Sequence, residues 1–334
     1  MNSATLTETV SNLLLTFDNR SGQRAVLRAV FTLMRTIFPQ PPLTKCNLPG
    51  YPPSSHAGSG LTRSPIDDAP LLSVRIWVDY RARRDVLRGA AFEIEPGEIV
   101  GLAGQSGSGK STIALSIMRL LHLKGGAVRG QIRFRGGDLL ASTEREMRAI
   151  RGREISLVLQ NPVSSLNPAL RIGTQLAEAW EAHNHAPRAR RETAICDALE
   201  AVSLVVDQPF LRRYPGELSV GQAQRVLIAM AILHRPALLI ADEATSALDA
   251  LTQSEILRLF ARLNRELSMA ILYISHDLLS IASLCQRVAI LHEGEIVEFA
   301  PVERIFHRPA HPYTRRLIDA IPVSPLSAEA QVFA

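Results

Sequence analysis

The sequence predicts an α/β protein: a mainly parallel sheet covered on both faces, with one helical insertion. Three observations predict it. From Leu71 onward, short apolar runs alternate with stretches of helical periodicity. The run Ile99–Ala103 ends in a glycine-rich turn that leads straight into a helix pattern. Over about 168–231 the pattern is helical throughout, with no strand signal, which marks an insertion.

The opening segment has a different texture. Residues 1–69 carry four acidic side chains, Glu8, Asp18, Asp67 and Asp68, and residues 38–69 are broken by Pro39, Pro41, Pro42, Pro49, Pro52, Pro53 and Pro65. Such a stretch cannot bury enough apolar surface to offset chain entropy, so it reads as a linker. Ahead of it Val26, Val30, Leu33, Met34 and Ile37 recur at helical spacing beside Arg24, Arg28 and Arg35. That pattern is open to a disordered extension or to a basic amphipathic helix lying on a membrane or a partner. Arginines inside the apolar stretch argue against a cleavable signal peptide.

Further along, Ile113, Ile117, Leu120 and Leu121 fall on one helix face after the glycine-rich turn. Runs at 238–241 and 270–274 predict two more buried strands. Between them Ile256, Leu259, Phe260, Leu263 and Leu267 mark a second amphipathic helix. Runs at 288–291 and 295–299 flank Glu293 and Gly294, a hairpin signal. The pattern does not repeat along the chain, so one such unit is expected.

Composition narrows the classes. Of 334 residues 46% are hydrophobic and 21% charged, which excludes a disordered or fibrous chain. The longest unbroken apolar run, 226–233, is eight residues, far short of the ~20 a spanning helix needs. Cys46, Cys196 and Cys285 are too scattered for a disulfide framework or a metal cluster, which favours a reducing compartment. With 37 Lys and Arg against 32 Asp and Glu the net charge is +5, which permits anionic partners without choosing among them.

The turn after 99–103 carries chemistry. Gly104, Gln105, Ser106, Gly107, Ser108, Gly109, Lys110 and Ser111 match the pattern G-x-x-x-x-G-K-[ST] between a strand and a helix. Glycines let successive N–H groups curl around phosphates, and the helix start adds partial positive charge to the same spot. Lys110 supplies a full charge, and the Ser111 hydroxyl can ligate Mg²⁺. The bland alternative is a glycine-rich turn with a chance lysine, which the strand-turn-helix context disfavours. A nucleoside triphosphate is the expected ligand, with Thr112 completing the cradle. Asp242 and Glu243 close the apolar run 238–241, at the strand end where ligands bind in open α/β folds. Asp242 is placed to hold Mg²⁺ and Glu243 to act as general base on water. Taken alone, such a pair is often only a strand end meeting solvent.

Further motifs follow in a fixed order. Leu218, Ser219, Val220, Gly221 and Gln222, then Gln224 and Arg225, resemble the L-S-G-G-Q signature of ABC-type ATPases. Ser246, Ala247, Leu248 and Asp249 resemble their D-loop, His276 their switch histidine, and Gln160 their Q-loop glutamine. The resemblance covers about 71–323 and implies an ABC-type P-loop ATPase with a RecA-like core, antiparallel β elements and a helical subdomain. On this reading the ATPase domain spans 70–324, its helical subdomain about 168–231, and residues 325–334 form a C-terminal tail.

What the resemblance implies attaches to particular residues. Such cassettes work as head-to-tail dimers, so Ser219, Gly221 and Gln222 are expected to act on the partner's ATP. Glu243, His276 and Gln160 are the expected catalytic set, and Ser111, Gln160 and Asp242 the Mg²⁺ ligands. An upstream aromatic stacks on adenine: Tyr80 by spacing, with Trp77 as the alternative, and either is also open to plain strand packing. Gln160, Asn161 and Pro162 with Ser165, Leu166, Asn167 and Pro168, and the stretch from His307 to Thr314, resemble segments of oligopeptide, dipeptide and nickel importer ATPases. That group implies two transmembrane permease subunits, a second cassette, an indirectly coupled periplasmic or extracellular solute-binding protein, and a peripheral place on the cytoplasmic face of the inner (plasma) membrane. No nucleic acid and no iron–sulfur cluster is expected. The competing class, a soluble ABC ATPase acting on ribosomes or nucleic acid, usually carries two cassettes or a long coiled coil, and no sustained heptads are present. Three positions depart from the pattern: Val220 replaces the first signature glycine, Ala244 a common proline, and Gln105 a common glutamate.

Overall fold

The structure is a computed structural model that describes residues 69–184 and 187–321, apart from the side chain of Val163. The expected N-terminal extension, but for its last residue, and the 325–334 tail lie outside the described residues.

The chain opens as a meander. Strand β1 (Leu72–Tyr80) alternates buried Leu72, Val74, Ile76 and Val78 with outward Arg75 and Trp77, and pairs antiparallel with β2 (Arg83–Ile94). Next comes β3 (Ile99–Ala103), buried along its whole length, followed by helix α1 (Lys110–Ile117). Strands β4 (Gly126–Phe134) and β5 (Gly137–Asp138) complete a four-stranded antiparallel sheet of order β2-β1-β4-β5. Helix α2 (Glu144–Ile150) then leads to β6 (Ile155–Val158).

Helices α3 (Pro162–Ser165), α4 (Ile172–Glu181), α5 (Arg188–Ala201), α6 (Gln208–Leu211) and α7 (Val220–Ile232) follow, with no strand among the described residues between β6 and β7. The chain returns through β7 (Leu238–Asp242), α8 (Ala250–Leu267), β8 (Ala270–Ser275), α9 (Leu278–Leu284), β9 (Arg287–His292) and β10 (Glu295–Pro301). It closes with α10 (Val302–His307) and α11 (Pro312–Asp319). The main sheet has order β10-β9-β3-β8-β7-β6, parallel except for β10. Glu293 and Gly294 turn the last hairpin, both at positive φ, as their sequence signal predicts.

Alternation along the central strands divides the core in two. Ile99 and Ala103, Leu239 and Ala241, Ile271 and Tyr273 face the helical side, with Ile256, Phe260 and Leu263 of α8. Val100 and Leu102, Leu238 and Ile240, Leu272 and Ile274 face α1 and the antiparallel sheet. The main sheet is therefore covered on both faces, but one cover is largely a second sheet. The residues 113–121 also differ from a single helix: α1 stops at Ile117 because Arg119 takes a left-handed φ of 51°. Leu121 still reaches the core, from a short 3₁₀ turn. Both differences place α1 between the sheets, with its first residue at the carboxyl end of β3.

Candidate nucleotide site

The cradle takes its shape from close approaches. Gly109 caps α1 at φ 110°, and a side chain there would meet Leu87. Gly104 has no room for one either, because the Leu291 carbonyl lies against it. Lys110, 5% exposed, folds back so that its Nζ donates to the carbonyls of Gly104 (2.8 Å) and Gln105 (3.0 Å). Burial lowers its pKa, while the charges of Glu243 and Asp242 work the other way. Ser106, Gly107 and Ser111 are exposed at the cradle mouth, Ser108 is half-buried, and Thr112 is buried.

Glu243 is the hub. It stands just past β7 at φ 48°, its N–H bonded to the Ile274 carbonyl (2.9 Å), so β8 fixes a backbone shape that side chains rarely adopt. Its Oε2 accepts from Gln160 Nε2 at 2.9 Å, while Oε1 lies 3.4 Å from His276 Nδ1 and 3.8 Å from Lys110 Nζ. Three residues from separate parts of the sequence thus converge on the Glu243 carboxylate, delivered from the ends of β6, β8 and β3, which with β7 are consecutive strands of the main sheet.

Asp242 lies deeper, 7% exposed. Burial pushes its carboxyl up; the Ser111 hydroxyl opposes this and Glu243 adds to it. Its Oδ1 is buried without a hydrogen-bond partner. An orphaned carboxylate oxygen beside a serine hydroxyl offers oxygen donors of the kind a hard divalent cation takes. The residues present therefore fit Mg²⁺.

Tyr80 is half-buried, and its hydroxyl lies 3.2 Å from Thr112 Oγ1, on the cradle helix. Trp77 is exposed on the opposite face of β1 and lies over Gly89. The predicted in-trans residues sit elsewhere. Ser219 caps α7 through a reciprocal pair with Gln222 (3.2 and 3.1 Å), and Asp249 caps α8 by accepting from the Thr252 N–H at 3.0 Å. Gly221 abuts Thr252, so signature and D-loop share one exposed surface. Among the described residues no hydrogen bond or ion pair joins Ser219, Gly221 or Gln222 to the cradle of the same chain, while Ser246 of the D-loop donates to the Glu243 carbonyl at 3.0 Å. Val220, 43% exposed, is the first residue of α7 and leaves the cap intact. Ala244 is buried, and Gln105 is exposed.

Sequence reasoning gave no role to Tyr273. Its hydroxyl bonds Thr245 (2.9 Å) and Ser280 (3.3 Å) beneath Glu243 and His276, and burial pushes its pKa up to about 12. An apolar run conceals such a residue, and only the pairing of β8 with β7 exposes it.

Fold and site together define a phosphate-loop nucleotide-binding cassette whose carboxylate strand, glutamine and histidine meet at one point. The chain belongs to the ABC transporter family, as an ATP-binding subunit. The family model described as ABC transporter matches residues 87–246, and that of the oligopeptide/dipeptide transporter C-terminal region matches 297–330. "Probable peptide ABC transporter ATP-binding protein y4tR" of Sinorhizobium fredii is 43% identical over 237 residues, covering 71% of each chain. "Glutathione import ATP-binding protein GsiA" of Escherichia coli (strain K12) is 41% identical over 242 residues, but the chain spans only 39% of that relative's length. Two solved structures, each 24% identical, share the fold. The dimeric, post-hydrolysis ATP-binding cassette MJ0796 bound to ADP and Pi superposes with a TM-score of 0.59, over 69% of this chain and 98% of its own. The cbiO1 subunit from Clostridium perfringens, part of the ABC transporter complex cbiONQ, gives 0.62 over 78% and 98%. No described helix is long and apolar enough to cross a membrane.

Proposed function

We propose that this chain binds and hydrolyses ATP at the cradle described above to drive import of short peptides through a pair of transmembrane permeases. The observation that carries the reading is the convergence of Gln160, His276 and Lys110 on the Glu243 carboxylate. The backbone of Gly104, Ser106, Gly107, Ser108 and Gly109 and the side chains of Lys110, Ser111 and Thr112 hold the phosphates, with Tyr80 beside the adenine; Trp77, on the opposite face of β1, does not share that position. Lys110, freed from its carbonyl partners, neutralises charge on the γ-phosphate. Glu243 takes the proton of the attacking water, Gln160 orients that water, and His276 holds the terminal phosphate near Glu243. Asp242, Ser111 and Gln160 would hold Mg²⁺, which when bound supplies charge stabilisation at the phosphates. Ser219, Gly221 and Gln222 of one subunit, with Asp249 beside them, close the ATP site of a second cassette.

Support for peptides as cargo comes from the peptide transporter subunit to which the chain is similar and from the match over 297–330. A solute-binding protein delivers the cargo, and the chain sits peripherally at the cytoplasmic face of the plasma membrane. The relatives reported above are transporter subunits, so a soluble cassette acting on ribosomes or nucleic acid is not favoured.

Glu243→Gln is the test, since the amide fills the same space without accepting a proton. ATP binding should persist while turnover falls by roughly 10²- to 10⁴-fold. A variant that hydrolyses ATP at more than about a tenth of the parental rate would remove Glu243 from this role.

A further inference from the structure

The segment that follows β10 reaches back to the phosphate cradle. Tyr313, in the first turn of α11, is 4% exposed, and its ring lies flat on the His292 imidazole, with centroids 3.6 Å apart and planes 12° from parallel. His292 ends β9, and the carbonyl of the residue before it, Leu291, is the one that leaves Gly104 no space for a side chain. Burial raises the Tyr313 pKa, and the backbone N–H of Gln105, close to the hydroxyl, works against that rise. That hydroxyl has no partner at ordinary hydrogen-bond geometry. It is a buried polar group aimed at the cradle.

The cradle is therefore approached from two sides: the Gln105 carbonyl accepts from Lys110 Nζ at 3.0 Å, and the Leu291 carbonyl, one residue before the stacked His292, lies against Gly104. The segment that carries Tyr313 is itself held firmly. The Glu298 carboxylate on β10 accepts from the N–H groups of Ala310 (2.9 Å) and His311 (3.1 Å). Arg315 ties the same turn to the carbonyls of Pro309 and Ala310, each at 3.1 Å. His311 Nδ1 accepts from the Tyr313 N–H at 3.2 Å.

We propose that Tyr313 is a positioning residue for the phosphate cradle: the segment anchored on Glu298 is a strut that bears, through His292 and the Tyr313 hydroxyl, on Gly104 and Gln105 and keeps the cradle shaped for ATP. This deepens the ATP-site reading and rests on it. A support one step removed from a ligand tunes binding more than the chemical step, because the reacting groups around Glu243 are fixed independently by β7 and β8.

The test uses the 334-residue chain and measures ATP affinity, turnover at saturating ATP, and melting temperature. Tyr313→Leu should weaken ATP binding by roughly 3- to 30-fold, with turnover changed less than about twofold. Tyr313→Phe keeps the stack on His292 and should lose a smaller part, about threefold. Ile318→Ala, on the same helix and buried in the core, should lower the melting temperature without changing ATP affinity. The strut is overturned if Tyr313→Leu binds ATP like the parent, or if Ile318→Ala weakens ATP binding as much. Should the leucine variant fail to fold, Tyr313→Phe decides, and an unchanged affinity there overturns the proposal. Lys110→Ala tests the site separately: undiminished ATP binding in that variant would sink the ATP-site reading itself.

Discussion

At the scale of single residues, Asp242 sets the balance between fold and site. A buried carboxylate oxygen without a hydrogen-bond partner costs stability, and the cost is borne where a cation fits. Asp242→Asn should therefore raise the stability of the nucleotide-free chain by at least about 1 kcal/mol, because it removes a buried charge. The same variant should lose most of the extra stabilisation that Mg²⁺ adds to ATP. Thermal melts with ATP, with and without Mg²⁺, read both effects, and a lower melting temperature without nucleotide would contradict the account. Glu243 shows a different kind of cost. Its left-handed backbone is held by the Ile274 carbonyl, so the proposed general base is placed by its neighbour strand and not by its own preference.

At the scale of elements, two carboxylates tie distant segments together. Glu98, 1% exposed, receives both Nε and Nη2 of Arg287, at 2.5 and 2.7 Å, and so ties the turn before β3 to the start of β9. Arg287→Ala would strand that carboxylate, and the expected loss is about 3 kcal/mol by denaturant unfolding. A loss below about 1 kcal/mol would mean that water replaces the guanidinium. Glu298 anchors the C-terminal segment. Burial pushes its carboxyl up, but the Ala310 N–H, the Thr314 hydroxyl, the His311 N–H and the Arg304 charge together hold it below the ordinary glutamate range. A lowered folded pKa means stability that is present above the ordinary value and lost as pH falls through the lower one. The α11 segment should thus stay docked at neutral pH and loosen only in acid, and Glu298→Gln should remove that acid transition. Amide exchange of α11 across the acid range checks it.

The elements also show what sequence reading reaches. Strands whose neighbours lie on both sides are apolar along their whole length, so 99–103, 238–241 and 270–274 were legible, as were the cradle and the order of the motifs. The antiparallel sheet was implied only by resemblance. In β1 the alternation of Leu72, Val74, Ile76 and Val78 was available as a signal, whereas β4 has no buried residue before Ile132 and carries Gly130 at positive φ, which blurs the pattern. Helix α1 was overextended because Leu120 and Leu121 continue its apolar face, and nothing in the residue type announces a left-handed Arg119. Tyr313 was legible as part of a motif but not as a neighbour of Gln105, since 208 residues separate them and only the fold brings them together.

At the scale of the whole molecule, the proposed site is completed by a second cassette, so a defect in the signature belongs to the partner's ATP. Val220 is exposed at the start of α7, and the Ser219–Gln222 cap that precedes it is intact. Valine therefore does not break the local fold. In a head-to-tail dimer its methyls would lie between the signature backbone and the partner's γ-phosphate. Val220→Gly removes three carbons there and lets the helix start approach more closely. Two effects oppose each other. Within the chain, glycine in a first helical turn costs at most about 1 kcal/mol of helix stability, so the isolated subunit should melt slightly lower. Across the interface, relief of one overpacked contact is worth about 1 to 2 kcal/mol, and ATP-dependent dimerisation should tighten by that amount. The affinity of the variant's own cradle for ATP should not change, because Lys110 and Glu243 are untouched. Mixed dimers with Glu243→Gln in one subunit at a time separate the two sites. Faster hydrolysis should appear only at the site that faces the altered signature. A gain at the site built on the variant's own Lys110 would place the signature in cis and overturn the head-to-tail arrangement; slower hydrolysis in trans would mean that the valine packs usefully against the partner.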